Sequence, residues 1–212
     1  MESINIKTIL RYSVTAMAIF FIATVLGYAT GVTDQVHAVQ TYHKFKKQGD
    51  PISAQVPLVQ AILIIIANAV IGLSIMLTGP ILARLFRIWF GSILLLVKSG
   101  CLFGELCFLI AKSIGLETAI LGMLPHSILE LSAGFLCGGI GLFLGYNIIM
   151  DQCEEPNLNS YNEIIPALYN DMKESGKLYC KLILPMFIIA GFVEVFISPG
   201  ILSWLIANRG VV

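Results

Sequence analysis

Three acidic residues lie where acids are rare. Glu105, Glu130 and Glu194 each fall inside a long apolar run of this 212-residue chain. A charge at the centre of a membrane helix costs about 3 kcal/mol on insertion scales, so each acid needs a reason to be there. The richest stretch is Leu124-Pro125-His126-Ser127-Ile128-Leu129-Glu130-Leu131-Ser132-Ala133. His126 and Glu130 are four residues apart, so on a helix they share a face, about 6 Å apart along the axis. An imidazole and a carboxylate so placed can satisfy each other and lock helices together, relay a proton, or hold a divalent metal. Glu194, from the last apolar run, is the expected third member of this cluster. Two carboxylates in a low-dielectric interior repel, and need a proton, an imidazolium or a cation between them. If a cation is present, one nitrogen and two or more oxygens suit zinc or another first-row divalent ion better than calcium. Glu105, with Lys98 seven residues earlier, is a further polar candidate, and Asn68 reads as an interhelical hydrogen-bonding residue. HExxH is absent, and no serine nucleophile is spaced with a base, so no catalytic residue is assigned.

The elements that must position these groups follow from composition. Hydrophobic residues make up 57% of the chain and charged residues 12%, at a mean hydropathy of +0.87. Soluble domains carry about 25% charged residues, so these cannot cover a soluble surface. Thirteen acids balance thirteen bases, which leaves no basic field for nucleic acid. A bilayer core about 30 Å thick needs about 20 apolar residues of helix. Windows near 12–32, 57–78, 90–112, 119–147 and 182–207 meet that length. They predict an all-α, polytopic membrane bundle of about five transmembrane helices, forming a single membrane domain over 1–212. No window shows the alternation of a transmembrane barrel. The first window is longer than a secretory h-region and lacks an A-x-A site, so it reads as an uncleaved helix.

Breaks and surface segments are predicted from prolines and charges. Pro125 suits the first turn of a helix, which would split the fourth span, and Pro199-Gly200 suggests a broken end in the fifth. Thr78-Gly79-Pro80 reads as a break after the second span, and 81–90, with Arg84, Arg87 and Trp89, as a short amphipathic interfacial helix. Segment 33–56 reads as a polar loop with one helical turn. Asn157 to Ser160 is turn-like, and Ile164, Ile165, Leu168 and Met172 recur as in an interfacial helix. Gly134, Gly138, Gly141 and Gly145 form close-packing motifs, within the chain or between two copies as a homodimer. The five cysteines show no CxxC spacing and read as buried or idle thiols. Lys and Arg counts, seven inside against five outside, place the N-terminus and 146–181 in the cytoplasm and the C-terminus outside.

The Pro125-His126-x-x-x-Glu130 motif and its glycine-rich continuation resemble the signature of the stage II sporulation protein M family. Gly191-Phe192-Val193-Glu194-Val195-Phe196-Ile197-Ser198-Pro199 is similar to that family's last-helix motif. Ile66-Ala67-Asn68-Ala69 resembles its asparagine-bearing helix, and Ser99-Gly100-x-x-x-Gly104 stands where the family often has N-G-x-x-x-G. Ser127 and Ser99 depart from the family's usual Gly and Asn. The resemblance spans about 57–207 and implies a five-helix inner-membrane protein. It further implies a membrane anchor that acts with peptidoglycan-degrading partners during engulfment. The function expected is therefore a scaffold recruiting other membrane or cell-wall-remodelling proteins. The alternative is a metal- or proton-dependent membrane enzyme or transporter centred on His126, Glu130 and Glu194.

Overall fold

The computed structural model describes residues 6–53, 55–154 and 161–209, and every regular element among them is helical. The order is α1 (Ile6–Thr33), α2 (Gln35–Ser53), α3 (Pro57–Phe86), α4 (Gly91–Ile114), α5 (Leu116–Glu154) and α6 (Tyr161–Leu178). A π-helical turn over Tyr179–Ile183 then leads into α7 (Leu184–Phe196) and α8 (Ser198–Arg209). Five helices are long and apolar enough to cross a membrane: Ile6–Thr33, Pro57–Phe86, Gly91–Ile114, Leu116–Met150 and Ser175–Phe196. In hydrocarbon every backbone polar group must be bonded internally, which is why apolar runs of this length resolve as helices. Large apolar side chains such as Phe21, Val25, Ile66 and Ile128 stay exposed along them, as lipid-facing surfaces should.

Three local expectations are corrected. Segment 33–56 is not a loop with one turn: α2 fills most of it. Asp34 caps this helix, accepting a hydrogen bond from the His37 amide at 2.9 Å, which satisfies one of the open N–H groups at a helix start. Residues 81–86 are not a separate interfacial helix, because α3 runs through Pro80 to Phe86. Transmembrane helices tolerate proline because neighbouring groups satisfy the freed carbonyls. Pro80 frees the Met76 carbonyl, and one residue earlier Ser92 Oγ of α4 donates to the Ile75 carbonyl at 2.7 Å. The helix ends where Arg87 adopts φ 57° and the Ile88 amide returns to the Leu82 carbonyl at 3.1 Å. Pro125 likewise does not split the fourth span, since α5 is continuous for 39 residues. The break in the last span is present, at Ile197 between α7 and α8, and the apolar window ends at Phe196 rather than near 207. The turn read at 157–160 lies outside the described residues.

The chain divides into two compact units. The first takes residues 1–19, 70–96 and 133–185. Its seam is the glycine run of α5. A Cβ at Gly141 would collide with Ser92 Oγ and crowd the Ile75 and Met76 carbonyls, so only glycine admits this approach. Gly138 lies against Ala16 and Leu96, and Gly145 against the Trp89 carbonyl and Gly79, whereas Gly134 has open space where its Cβ would be. Trp89 meets Tyr146 edge-on at 6.2 Å.

The second unit takes residues 20–69, 97–132 and 186–212. Here α1 and α4 meet through facing glycines. A Cβ at Gly104 would strike the Thr24 carbonyl, and one at Gly27 the Cys101 carbonyl. Small residues let transmembrane backbones approach in this way where lipid offers no hydrophobic drive. Cys101, Cys107, Cys137 and Cys180 are free thiols.

Candidate functional site

The polar cluster is built within the second unit. The first half of α5 supplies His126 and Glu130, and α7 supplies Glu194. Gly191, one turn before Glu194, admits α3 closely: its missing Cβ leaves room for Ile65. Gly122 stands in the same relation to His126, a turn earlier on α5, and Leu202 of α8 fills the space it leaves. These two contacts seat α7 and α8 inside the unit that holds the α5 pair.

Between α7 and α8 the chain is interrupted at Ile197. The Ile197 amide still bonds Val193 at 3.0 Å, and the Ile197 carbonyl accepts from Ile201 at 3.2 Å. Pro199 stands in the first turn of α8, where a missing N–H leaves nothing unpaired. The corner turns Ser198 inward, and it is buried. Ser198 Oγ donates to the Val193 carbonyl at 3.2 Å. It also lies 2.9 Å from His126 Nδ1, and in the tautomer protonated at Nδ1 it accepts there and leaves Nε2 with a free lone pair.

His126, Glu130 and Glu194 each offer one ligand atom, and all three atoms lie within 4.8 Å of one another. All three side chains are half-buried. Among the described residues, neither carboxylate has a hydrogen-bond or ion-pair partner of its own. The arrangement offers one nitrogen and two carboxylates around a common point. Such a set can hold a divalent cation or share a proton.

The other expected residues lie elsewhere. Glu105 does not belong to the three-residue group. Its Oε1 lies 3.4 Å from His37 Nδ1 of α2, with side chains 7% and 55% exposed respectively. Its Oε2 is buried without a hydrogen-bond partner. Lys98 is exposed, and Asn68 is half-buried on α3 with no hydrogen-bond partner among the described residues. Lys112 Nζ donates to Gln35 Oε1 at 2.8 Å, a second tie from α4 to α2. Two residues that matter here escape sequence reasoning. Ser198 is visible only as a serine before a proline, and nothing local connects it to a histidine 72 positions away. His37 carries the signal of a histidine just after a capping Asp34, on a segment whose polarity suggests a loop.

No curated protein and no solved structure matches the chain. Its sequence does match a family over residues 16–199, a stretch that contains all five spans in whole or in large measure and the complete His126–Glu130–Glu194 cluster. With five membrane-length helices and that match, the chain is a multi-pass membrane protein belonging to the stage II sporulation protein M family.

Proposed function

We propose that this protein is a membrane scaffold that presents a separate polar helix on each side of the bilayer and recruits cell-wall-remodelling partners there. One observation carries the reading. Between the polar helices α2 and α6 lie three spans: α3, α4 and α5. An odd number of crossings puts α2 and α6 on opposite faces, whichever way the chain is inserted. The slight Lys and Arg bias then favours α6 in the cytoplasm and α2 outside, beside the wall. Lys44 and Lys47 on α2 are exposed and available to a partner. The family match supports a membrane anchor of this family's kind, and partners that degrade peptidoglycan are what the resemblance leads one to expect of it.

Cysteines placed at Tyr42 and Tyr169, both exposed, test the topology in a background without native cysteines. Impermeant reagent added to intact cells should label position 42 and spare position 169. Labelling of both would overturn the odd-span argument, and the reverse pattern would overturn the orientation. Peptidoglycan-degrading activity should co-purify with the tagged chain and fall when Lys44 and Lys47 are both changed to Glu. Full retention would remove α2 as the recruiting surface, and no co-purified activity would remove these partners.

The convergence of His126, Glu130 and Glu194 favours a second reading, a metal- or proton-dependent enzyme or transporter. Glu130→Gln separates the two. A scaffold with this change still captures its partners, whereas an enzyme or transporter stays inserted and folded but loses turnover. Self-association as a homodimer falls to surfaces other than the seam positions Gly138, Gly141 and Gly145, which are filled from within the chain. A monomer mass in nanodiscs would remove the dimer.

A further inference from the structure

We infer that His126, Glu130 and Glu194 form a first-row divalent cation site, zinc foremost, with Ser198 as the residue that aims the imidazole. The argument starts from charge. Two carboxylates face each other inside membrane spans, and neither has a hydrogen-bond or ion-pair partner among the described residues. Isolated charges in such surroundings are costly, and buried charges are paired or coordinate metals. A divalent cation between them answers both negative charges at once, which a single imidazolium cannot.

Geometry agrees. Three ligand atoms within 4.8 Å of one another leave a central point no more than about 2.8 Å from each. Zinc bonds to nitrogen and carboxylate oxygen are about 2.0–2.2 Å long, so side-chain shifts below about 1 Å complete the set. Three protein ligands leave a fourth position open, the arrangement of reactive rather than purely structural zinc sites. The ligand chemistry, one imidazole and two carboxylates without thiolate, selects zinc, manganese or iron over copper(I) or an iron–sulfur cluster.

The second observation is independent of the acids. A metal-bound histidine usually donates its other ring N–H to an oxygen, which fixes the tautomer and the ring plane. Ser198 provides that oxygen. With its own proton on the Val193 carbonyl at 3.2 Å, it accepts from Nδ1 at 2.9 Å in the tautomer that leaves Nε2 for a metal. The corner at Ile197 is what brings Ser198 to this position. The interruption of the last span thus has a purpose in the site, and a bound cation would join α5 to α7 directly.

This site stands apart from the scaffold reading, and either can fail alone. The test uses the full chain in mild detergent, stripped with chelator and titrated with zinc and then with cobalt(II). About one zinc per chain is expected by elemental analysis, and cobalt should give visible bands of nitrogen and oxygen ligation. Glu130→Gln and Glu194→Gln should each abolish stoichiometric binding. Ser198→Ala should keep the ligands and weaken zinc by about 10–100-fold, with helicity and elution unchanged. A folded wild-type chain that takes up no metal at micromolar zinc overturns the proposal, whatever the variants do. Cobalt bands of thiolate ligation would do the same, because they would place the metal on cysteine. Unchanged affinity in Ser198→Ala would overturn the aiming role.

Discussion

Glu105 and the Glu130–Glu194 pair face the same physical problem and meet it in different ways. Glu105 is a lone acid, and the group beside it comes from outside the apolar spans: His37, on the polar helix α2, reaches one of its oxygens at 3.4 Å. That imidazole is more than half exposed, so water screens the contact. Glu130 and Glu194 are both supplied by spans, and the group that converges with them is an imidazole in contact with Ser198 at 2.9 Å. One acid can be tolerated where a polar helix reaches it. Two acids need something between them, and a histidine held by Ser198 is suited to share that place with a cation.

The comparison breaks or sharpens on substitution. The largest difference is expected between the two histidines. His126→Ala removes the imidazole beside the two carboxylates together with its hydrogen bond to Ser198 and should cost about 1–3 kcal/mol. His37→Ala removes a half-exposed partner and should cost at most about 1 kcal/mol. Unfolding by SDS titration in mixed micelles measures both, and equal losses would erase the distinction. Replacing the acids separates the regions next. Glu105→Met should be neutral or stabilising by up to about 4 kcal/mol, because a buried carboxylate with only a half-exposed partner is replaced by packing. Glu130→Met should instead lose the site. A stabilised Glu130→Met chain that still binds zinc would contradict the assignment.

Coupling offers a finer measure. His126→Ala combined with Glu194→Gln should be non-additive by about 0.5–3 kcal/mol, since the two groups share a centre. His126→Ala combined with Glu105→Gln should add within about 0.5 kcal/mol, since they share no partner. Coupling of similar size in both cycles would mean that the two regions act as one network. A further effect is expected from Ser198→Ala. It deletes two hydrogen bonds, with the Val193 carbonyl and with His126, for a stability loss of about 1–3 kcal/mol. A loss several times larger would make Ser198 a structural keystone of the α7–α8 corner rather than a positioning residue.

Local rules misread several elements for reasons that these residues make plain. Pro80 and Pro125 look like helix breakers because their cost is learned in water, where a freed carbonyl finds solvent and the chain can leave the helix. In lipid the alternatives to helix are costlier still, so α3 and α5 continue through them. Segment 33–56 looks like a loop because it is polar, and polarity marks exposure rather than loop structure. Asp34, three residues before His37, is the local signal for α2. The glycine run is legible as a packing surface, yet nothing in its spacing sets Gly134, with open space, apart from Gly141, pressed against Ser92.

From the sequence alone comes whatever depends on short range or on the solvent. The long apolar runs set the spans, even where the third holds Lys98 and Glu105, because hydrocarbon rejects ions and demands internally bonded backbone. The four-residue step from His126 to Glu130 sets their common face, because helix geometry is fixed. Tertiary structure decides what depends on which helices meet. It brings Glu194 to the α5 pair, turns Ser198 onto His126 at the Ile197 corner, and gives Glu105 to His37 of α2. These contacts join residues tens of positions apart. Their partners are selected by where glycines such as Gly191 and Gly122 let backbones close, and packing of that kind is a property of facing surfaces rather than of any one stretch of chain.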